Sequence, residues 1–408
     1  MNKRKIINDP VYGFINITSE VIFDIIEHPW FQRMRRIKQL GLTNLVYPAA
    51  NHSRFQHALG TYYLMQEAIQ VIRTKGQAVS DEEAEAAYIA ILLHDIGHGP
   101  FSHALEHGLV EGANHEKMSL LFLQSMNRIF DQQLETAIRV FTNQYKKRYL
   151  HQLIAGQLDM DRMDYLKRDS FFTGVSEGII GSERIIKMLA VHNDSLVIEA
   201  KGIYSVEKFL IARRLMYWQV YLHKTVLSAE YMLINILRRA KELALAGESI
   251  FTTPSIAFFL QNHITVEHAG ADQIIEHFAA LDDNDIITSI KQWTTSSDAV
   301  LPVLCNGFLN RKLYQIELSG DPIDPSRLDE LKKDYRANHD IPESLMHYFI
   351  FTGQVENNPY NLANDRIQVL FNNGRLADLS EVSDIFQIST LTAITKKYFL
   401  CYPKKTWG

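Results

Sequence analysis

LLHDIGHGPFSH, residues 92–103, places His94, Asp95, His98 and His103 where an apolar helix runs into a turn rich in glycine and proline. Neighbouring residues on a helix point about 100° apart, so His94 and Asp95 straddle one face and both reach an ion beside the helix end. A charge buried at the end of such a helix is costly without a partner. A divalent ion needs more than two ligands, and other helices offer them. RFQHALG (54–60) carries His57 just before a helix expected over 61–76. LDMDRMDYLKRD (158–169) carries Asp159, Asp161, Asp164 and Asp169 on a helix expected over 159–170. The order His, His-Asp, Asp on separate helices makes a two-imidazole, two-carboxylate set. It suits Mn, Mg, Fe, Zn or Ni without distinguishing them, and it leaves positions for water and substrate.

The rest of the chain sets the bounds. With 408 residues, 46% of them hydrophobic and 22% charged, it has the composition of a soluble globular protein with a large core. A net charge of -5 argues against bulk nucleic-acid binding. Cys305 and Cys401 have no CxxC spacing and build no disulfide framework, which fits a reducing cytoplasm. MNKRKIINDP lacks the apolar stretch of a signal peptide, and no apolar run is long enough to span a membrane. The expectation is a cytoplasmic protein.

Periodicity makes the fold mainly α. SDEEAEAAYIAILLHDI (80–96) opens with the capping pair Ser80 and Glu83 and closes at Gly97. HEKMSLLFLQSM (115–126) is a further amphipathic helix, and the longest helix is expected from Ser205 to Ala246. SLVIEAKGIYS (195–205) is a short β signal containing a glycine turn. Beyond about residue 250 the strand-like LYQIEL, HYFIFTGQV and DRIQVLFNNG are interspersed with the charged helix DPSRLDELKKDYRA. The expected organisation is a helical catalytic domain over 1–250 and a smaller α+β lobe over 251–408 serving assembly or regulation.

RFQHALG, LLHDIGHGPFSH and LDMDRMDYLKRD, in this order, resemble the HD-domain metal-dependent phosphohydrolases. The similarity is closest to the deoxynucleoside triphosphate triphosphohydrolase branch, which includes the mammalian SAM- and HD-domain enzyme and bacterial relatives. It runs from KIINDPVYG (5–13) to YLHKTV (221–226), and no SAM domain precedes it here. The resemblance implies His57, His94, Asp95 and Asp161 as metal ligands. It puts His98 beside the scissile phosphate with His115 and Glu106 as partners, and His103 on the substrate side. Gln39, Tyr165 and Asp169 fall where the family reads the deoxyribose, so that a 2′-hydroxyl would clash with the tyrosine ring. Arg54, Arg162, Arg213 and Tyr221 fall where phosphates are held; Arg162 is a lysine in the mammalian enzyme, so a planar fork replaces a point charge.

The resemblance also implies a second nucleotide site. Lys5, Gln32 and Arg35 match positions that bind an activating guanine nucleotide (GTP or dGTP), with Glu27 in place of the aspartate that reads the base. Arg184, His223 and Lys224 resemble part of an adjoining deoxynucleotide effector site, where Gln219 replaces an arginine. The expectation is therefore a dNTP triphosphohydrolase that forms a homo-oligomer, a tetramer by preference, under nucleotide control. Two other readings compete: an HD phosphohydrolase acting on another nucleotide or phosphate ester, and a nucleotide-sensing or nucleic-acid-binding protein.

Overall fold

The computed structural model describes residues 5–101, 114–264, 271–357, 366–384 and 395–404. The architecture is mainly helical, with three small sheets among the described residues. Its centre is the helix Arg54–Thr74, which packs against Asp81–Leu93 on one side and Met160–Thr173 on another. This helix starts earlier than the expected 61–76, because Gln56 accepts a hydrogen bond from the Ser53 backbone N–H (2.8 Å) and closes the first turn. His57 therefore sits within the helix rather than ahead of it. Asp81–Leu93 begins with the foreseen Ser80–Glu83 box and ends at Leu93, so His94 and Asp95 lead directly into the turn.

The single helix expected over 205–246 is two: Ile203–Met216 and Lys224–Leu245. A π-helical segment, Tyr217–Tyr221, separates them, and His223 restarts the second by accepting from Thr225 N–H (3.1 Å). Such wide turns recur at functional sites because they re-aim side chains.

Lys5–Asp9 and Gly13–Ile17 form an N-terminal hairpin. Leu189–His192 and Ser195–Glu199 form another, turning through Asn193 and Asp194 at φ 47° and 60°. Ser195–Glu199 also pairs in parallel with Gln368–Leu370, setting Ile198 opposite Val369. The third sheet places Thr395–Tyr402 between Gln315–Ser319 and Phe351–Asn357. Buried apolar side chains from Ile15 to Leu400 make one contiguous cluster. Both the parallel pairing and this core therefore cross residue 250.

Candidate metal centre and substrate cavity

Three helices deliver the ion-binding groups. His57 comes from the first turn of Arg54–Thr74, His94 from the end of Asp81–Leu93, and Asp161 from the first turn of Met160–Thr173, after the N-cap Asp159. Asp161 Oδ1 lies 3.1 Å from His57 Nε2 and 3.5 Å from His94 Nε2. Ligand atoms of these three residues all lie within 4.8 Å of one another. Each imidazole is anchored through its other nitrogen: His57 Nδ1 meets Asp164 Oδ2 at 2.7 Å, and His94 Nδ1 meets the Ile91 carbonyl at 2.6 Å. Both Nε2 atoms are buried and, among the described residues, make no well-directed hydrogen bond. Two imidazoles locked in orientation, with free nitrogens converging beside a carboxylate, fit a divalent ion.

Asp95, the fourth expected ligand, borders this set. Its oxygens lie 3.4 Å from His94 Nε2 and 3.7 Å from His57 Nε2, while Arg54 Nη1 and His98 Nε2 (3.3 Å) hold the same carboxylate. Burial opposes ionisation of Asp95, but the charges of His94 and Arg54 and the hydrogen bond from His98 outweigh it and keep the group well below the usual carboxylate range. Burial likewise works against a charge on His57, yet the carboxylates of Asp161, Asp164 and Asp95 push the ring up to about 10. His98 is driven the other way: burial, then the positive Arg54, bring it down to about 3, so this imidazole is neutral.

The turn after His94 is held from two sides. Ser119 Oγ donates to the His94 carbonyl (2.6 Å) and accepts from Gly97 N–H (3.0 Å), which seats the helix His115–Ile129 against the turn. The His115 ring consequently stacks on His98 with centroids 4.1 Å apart. From the other side the fully buried Arg33 donates to the His98 (2.9 Å), Ile96 (3.3 Å) and Leu281 (2.8 Å) carbonyls. Glu106 and His103 lie outside the described residues.

Next to the cluster opens a cleft whose free space, its open mouth included, is about 940 Å³, lined among others by Gln39, Arg54, Phe101, Tyr165, Asp169 and Tyr221. Arg54 belongs to both, since it lines the cavity and grips Asp95. Asp169 is held on both oxygens, by His52 Nε2 (2.7 Å) and by the Tyr221 hydroxyl, which donates at 2.8 Å. The π-helical segment brings Tyr217 and Tyr221 to the cavity wall together. Arg162 turns instead to Asp159 (2.9 Å), and Arg213 reaches Gln157 (3.4 Å).

The residues expected at a second site fall into two groups. Lys5 pairs with Glu27 (3.0 Å), and Arg35 Nε donates to Gln32 Oε1 (2.8 Å) while its guanidinium lies over Phe55. Arg184 donates to the Lys201 carbonyl, His223 caps its own helix beside Tyr47, and Lys224 is exposed. Gln219 bonds Glu177 (3.2 Å). Sequence reasoning did not single out Asp9, Arg33, His52, Arg168 or Glu230, all of which pack into or behind the site.

Residues 54–169 match the model of the HD domain, and residues 180–254 match that of the HD associated region. The chain is 32% identical to the uncharacterized protein YwfO of Bacillus subtilis, over 95% of this chain and 89% of that protein. It is 31% identical to a deoxynucleoside triphosphate triphosphohydrolase SAMHD1 homolog of Dictyostelium discoideum, over 58% of this chain and 50% of that protein. A crystal structure of a phosphohydrolase from Bacteroides thetaiotaomicron superposes with a TM-score of 0.95 at 52% identity, covering 98% of this chain and 100% of that one. On the converged cluster, the matched domain and these relatives, the chain belongs to the HD-domain phosphohydrolases.

Proposed function

We propose that the protein hydrolyses deoxynucleoside triphosphates to deoxynucleoside and tripolyphosphate, with Asp95 completing the ligand set of His57, His94 and Asp161. The observation that carries this reading is the cavity shared by Gln39, Tyr165, Asp169 and Tyr221, joined through Arg54 to the cluster. A generic phosphatase has no need of a pocket shaped by an aromatic ring and a fixed carboxylate. The Dictyostelium relative, and the SAMHD1 of Gallus gallus at 28% identity over 58% of this chain, carry that activity in their names.

A divalent ion at this site supplies Lewis-acid polarisation of the α-phosphate and a more acidic water. The chain supplies the rest. Arg54, with Arg162 and Arg213 turned from their present partners, neutralises the triphosphate. Gln39 and Asp169 bond the sugar, and the Tyr165 ring excludes a 2′-hydroxyl. Water adds to the α-phosphorus and gives up a proton to solvent, the bond to the sugar 5′-oxygen breaks, and that oxygen takes a proton from His98. His98, neutral before substrate arrives, gains its proton as the triphosphate's negative charge comes close. His115 stacks against it, and Glu106 completes that group. His103 joins the substrate side.

A guanine nucleotide on Lys5, Glu27, Gln32 and Arg35, with a deoxynucleotide near Arg184, His223 and Lys224, would favour assembly into a homo-tetramer. The half-exposed Lys5–Glu27 pair and the outward Gln32–Arg35 pair support this reading.

The test is incubation with Mn2+ or Mg2+ and mixed dNTPs, with and without GTP, resolving products by ion exchange and mass by light scattering. Deoxynucleoside plus tripolyphosphate supports the reaction, and Asp161→Asn should abolish it. Monophosphate or free phosphate as product would leave a phosphohydrolase of another substrate class. Turnover and mass indifferent to GTP would remove the effector site.

A further inference from the structure

Behind the ion site runs a line of buried charge that the reaction itself does not use. Asp164, which anchors His57, is gripped on both oxygens by Arg168, through Nε (2.9 Å) and Nη2 (3.0 Å). Arg168 Nη1 then donates to Asp9 Oδ2 at 2.8 Å. Asp9 Oδ1 accepts from the backbone N–H of Val11 (2.9 Å) and Tyr12 (3.0 Å), which closes the turn of the N-terminal hairpin. His57, Asp164 and Arg168 have no exposed surface, and Asp9 has 4%. The helix carrying His57 is notched to admit the line: a Cβ on Gly60 would lie 2.0 Å from Asp164 Oδ1 and 2.3 Å from Arg168 Nη2.

We propose that Arg168 and Asp9 are positioning residues for the ion site. Through Asp164, they tie the hairpin to the His57 ring, fix its plane and set divalent-ion affinity from a distance. An imidazole ligand presents its lone pair along one direction, and a bonded carboxylate on the other nitrogen both aims it and strengthens it. Asp164 can do this only if its own position is fixed, and the planar fork of Arg168 fixes it on two oxygens. The guanidinium in turn is oriented by Asp9, whose place is set by a turn of backbone hydrogen bonds. Each member removes a degree of freedom from the next, and the line ends on a metal-ligand nitrogen.

A merely structural network would hold the hairpin down without touching the ion. The two roles separate in Mn2+ titrations followed by the electron paramagnetic resonance signal of the free ion, run well below the melting temperature. Asp9→Asn keeps an acceptor for both turn amides and loses one charge. Arg168→Lys keeps the charge and loses the fork. Each should weaken Mn2+ binding by about tenfold, and Asp164→Asn by up to about a hundredfold, the span found when such outer partners are removed. Leu237→Ala, a core truncation on another helix, controls for lost stability and should bind as the wild type does. Nitrogen NMR of the histidine side chains adds a second readout: the His57 Nδ1 resonance should move in Asp9→Asn, although Asp9 reaches that ring only through Arg168 and Asp164.

Binding within twofold of wild type in folded Asp9→Asn and Arg168→Lys would overturn the proposal. The inference rests on His57 as a ligand, so a wild-type protein that takes up no divalent ion would overturn both. A protein that binds Mn2+ but leaves dNTPs intact, with affinity still falling in these variants, would sink the proposed reaction and sustain the coupling.

Discussion

At the scale of single residues, one short helix shows how four identical side chains acquire four tasks. Asp159 caps Met160–Thr173 and holds Arg162, Asp161 faces the ion site, Asp164 anchors His57, and Asp169 is gripped by His52 and Tyr221. Spacing explains part of this, since Asp161, Asp164 and Arg168 recur at three and four residues and share a face. The residue types an ion needs are few, which is why His57 and His94 were legible in the sequence, whereas Asp161 was singled out from its three neighbouring aspartates only by the family resemblance. Asp9 was not, because its partner Arg168 stands far along the chain and no local pattern links them. Glu230, on the helix Lys224–Leu245, was equally silent, yet it lines the cavity. Burial lifts its carboxyl from 4.5 to about 7. The folded protein thus binds this proton more tightly than the unfolded chain. The penalty for ionising it is absent below about pH 4.5 and complete above about pH 7, so stability is lost as pH rises through that window. Glu230→Gln removes the penalty. It should match the wild type in urea unfolding near pH 4.5 and exceed it by roughly 1–3 kcal/mol at pH 8, since each tenfold change in proton affinity is worth about 1.4 kcal/mol. An equal difference at both pH values would refute this account.

At the scale of elements, helices with strong end signals were foreseen, as Ser80 and Glu83 show, and the interruptions were not. The π-helical segment Tyr217–Tyr221 has no breaker residue; tertiary packing at the cavity selects it over a continuous helix. The strand Thr395–Tyr402 was also absent from the sequence expectation, since its KKYFLCY pattern becomes a strand only between two partners. Gly97 was read as a helix stop, but its deeper reason is contact between elements. A Cβ there would lie 2.2 Å from Ser119 N and 2.4 Å from the His115 carbonyl oxygen. The helix His115–Ile129 would have to retreat, taking His115 from His98 and breaking the Ser119 bridge to the His94 carbonyl. Gly97→Ala should therefore cost about 1–3 kcal/mol in thermal unfolding, the usual range for overpacking. It should also lower turnover more than it weakens Mn2+ binding, because the ligand helices are not the ones displaced. Wild-type turnover in this variant would show that the stacked imidazoles have no part in the chemistry.

At the scale of the whole molecule, periodicity correctly gave a mainly helical fold, the resemblance of three motifs gave the HD phosphohydrolases, and the sequence also suggested a seam near residue 250. Texture changes there because strands become frequent, but texture reports local propensity and not which surfaces meet. The strand Ser195–Glu199 finds its parallel neighbour in Gln368–Leu370, and Asn235 donates to the Tyr348 carbonyl (3.0 Å) from inside Lys224–Leu245. Arg33, which braces the His94–His98 turn, has its Nε on the Leu281 carbonyl and its guanidinium 4.9 Å from the Phe278 ring centre. Trp293, Tyr348 and Phe349 are fully or almost fully buried in the same cluster as Ile91 and Met163. A chain cut at residue 250 would expose this apolar surface and leave a buried guanidinium without one of its acceptors, a combination that proteins tolerate poorly. Such a fragment should aggregate or melt far below the full chain, and its Mn2+ affinity should fall even though all four proposed ligands are present, because Arg33 loses the Leu281 carbonyl that helps it fix the turn. Circular dichroism melting with Mn2+ titration on residues 1–250 and on the full chain checks this. A fragment that melts cooperatively at the full-length temperature and binds Mn2+ as tightly would make the portion beyond residue 250 an independent appendage, and the ion site the property of the helical portion alone.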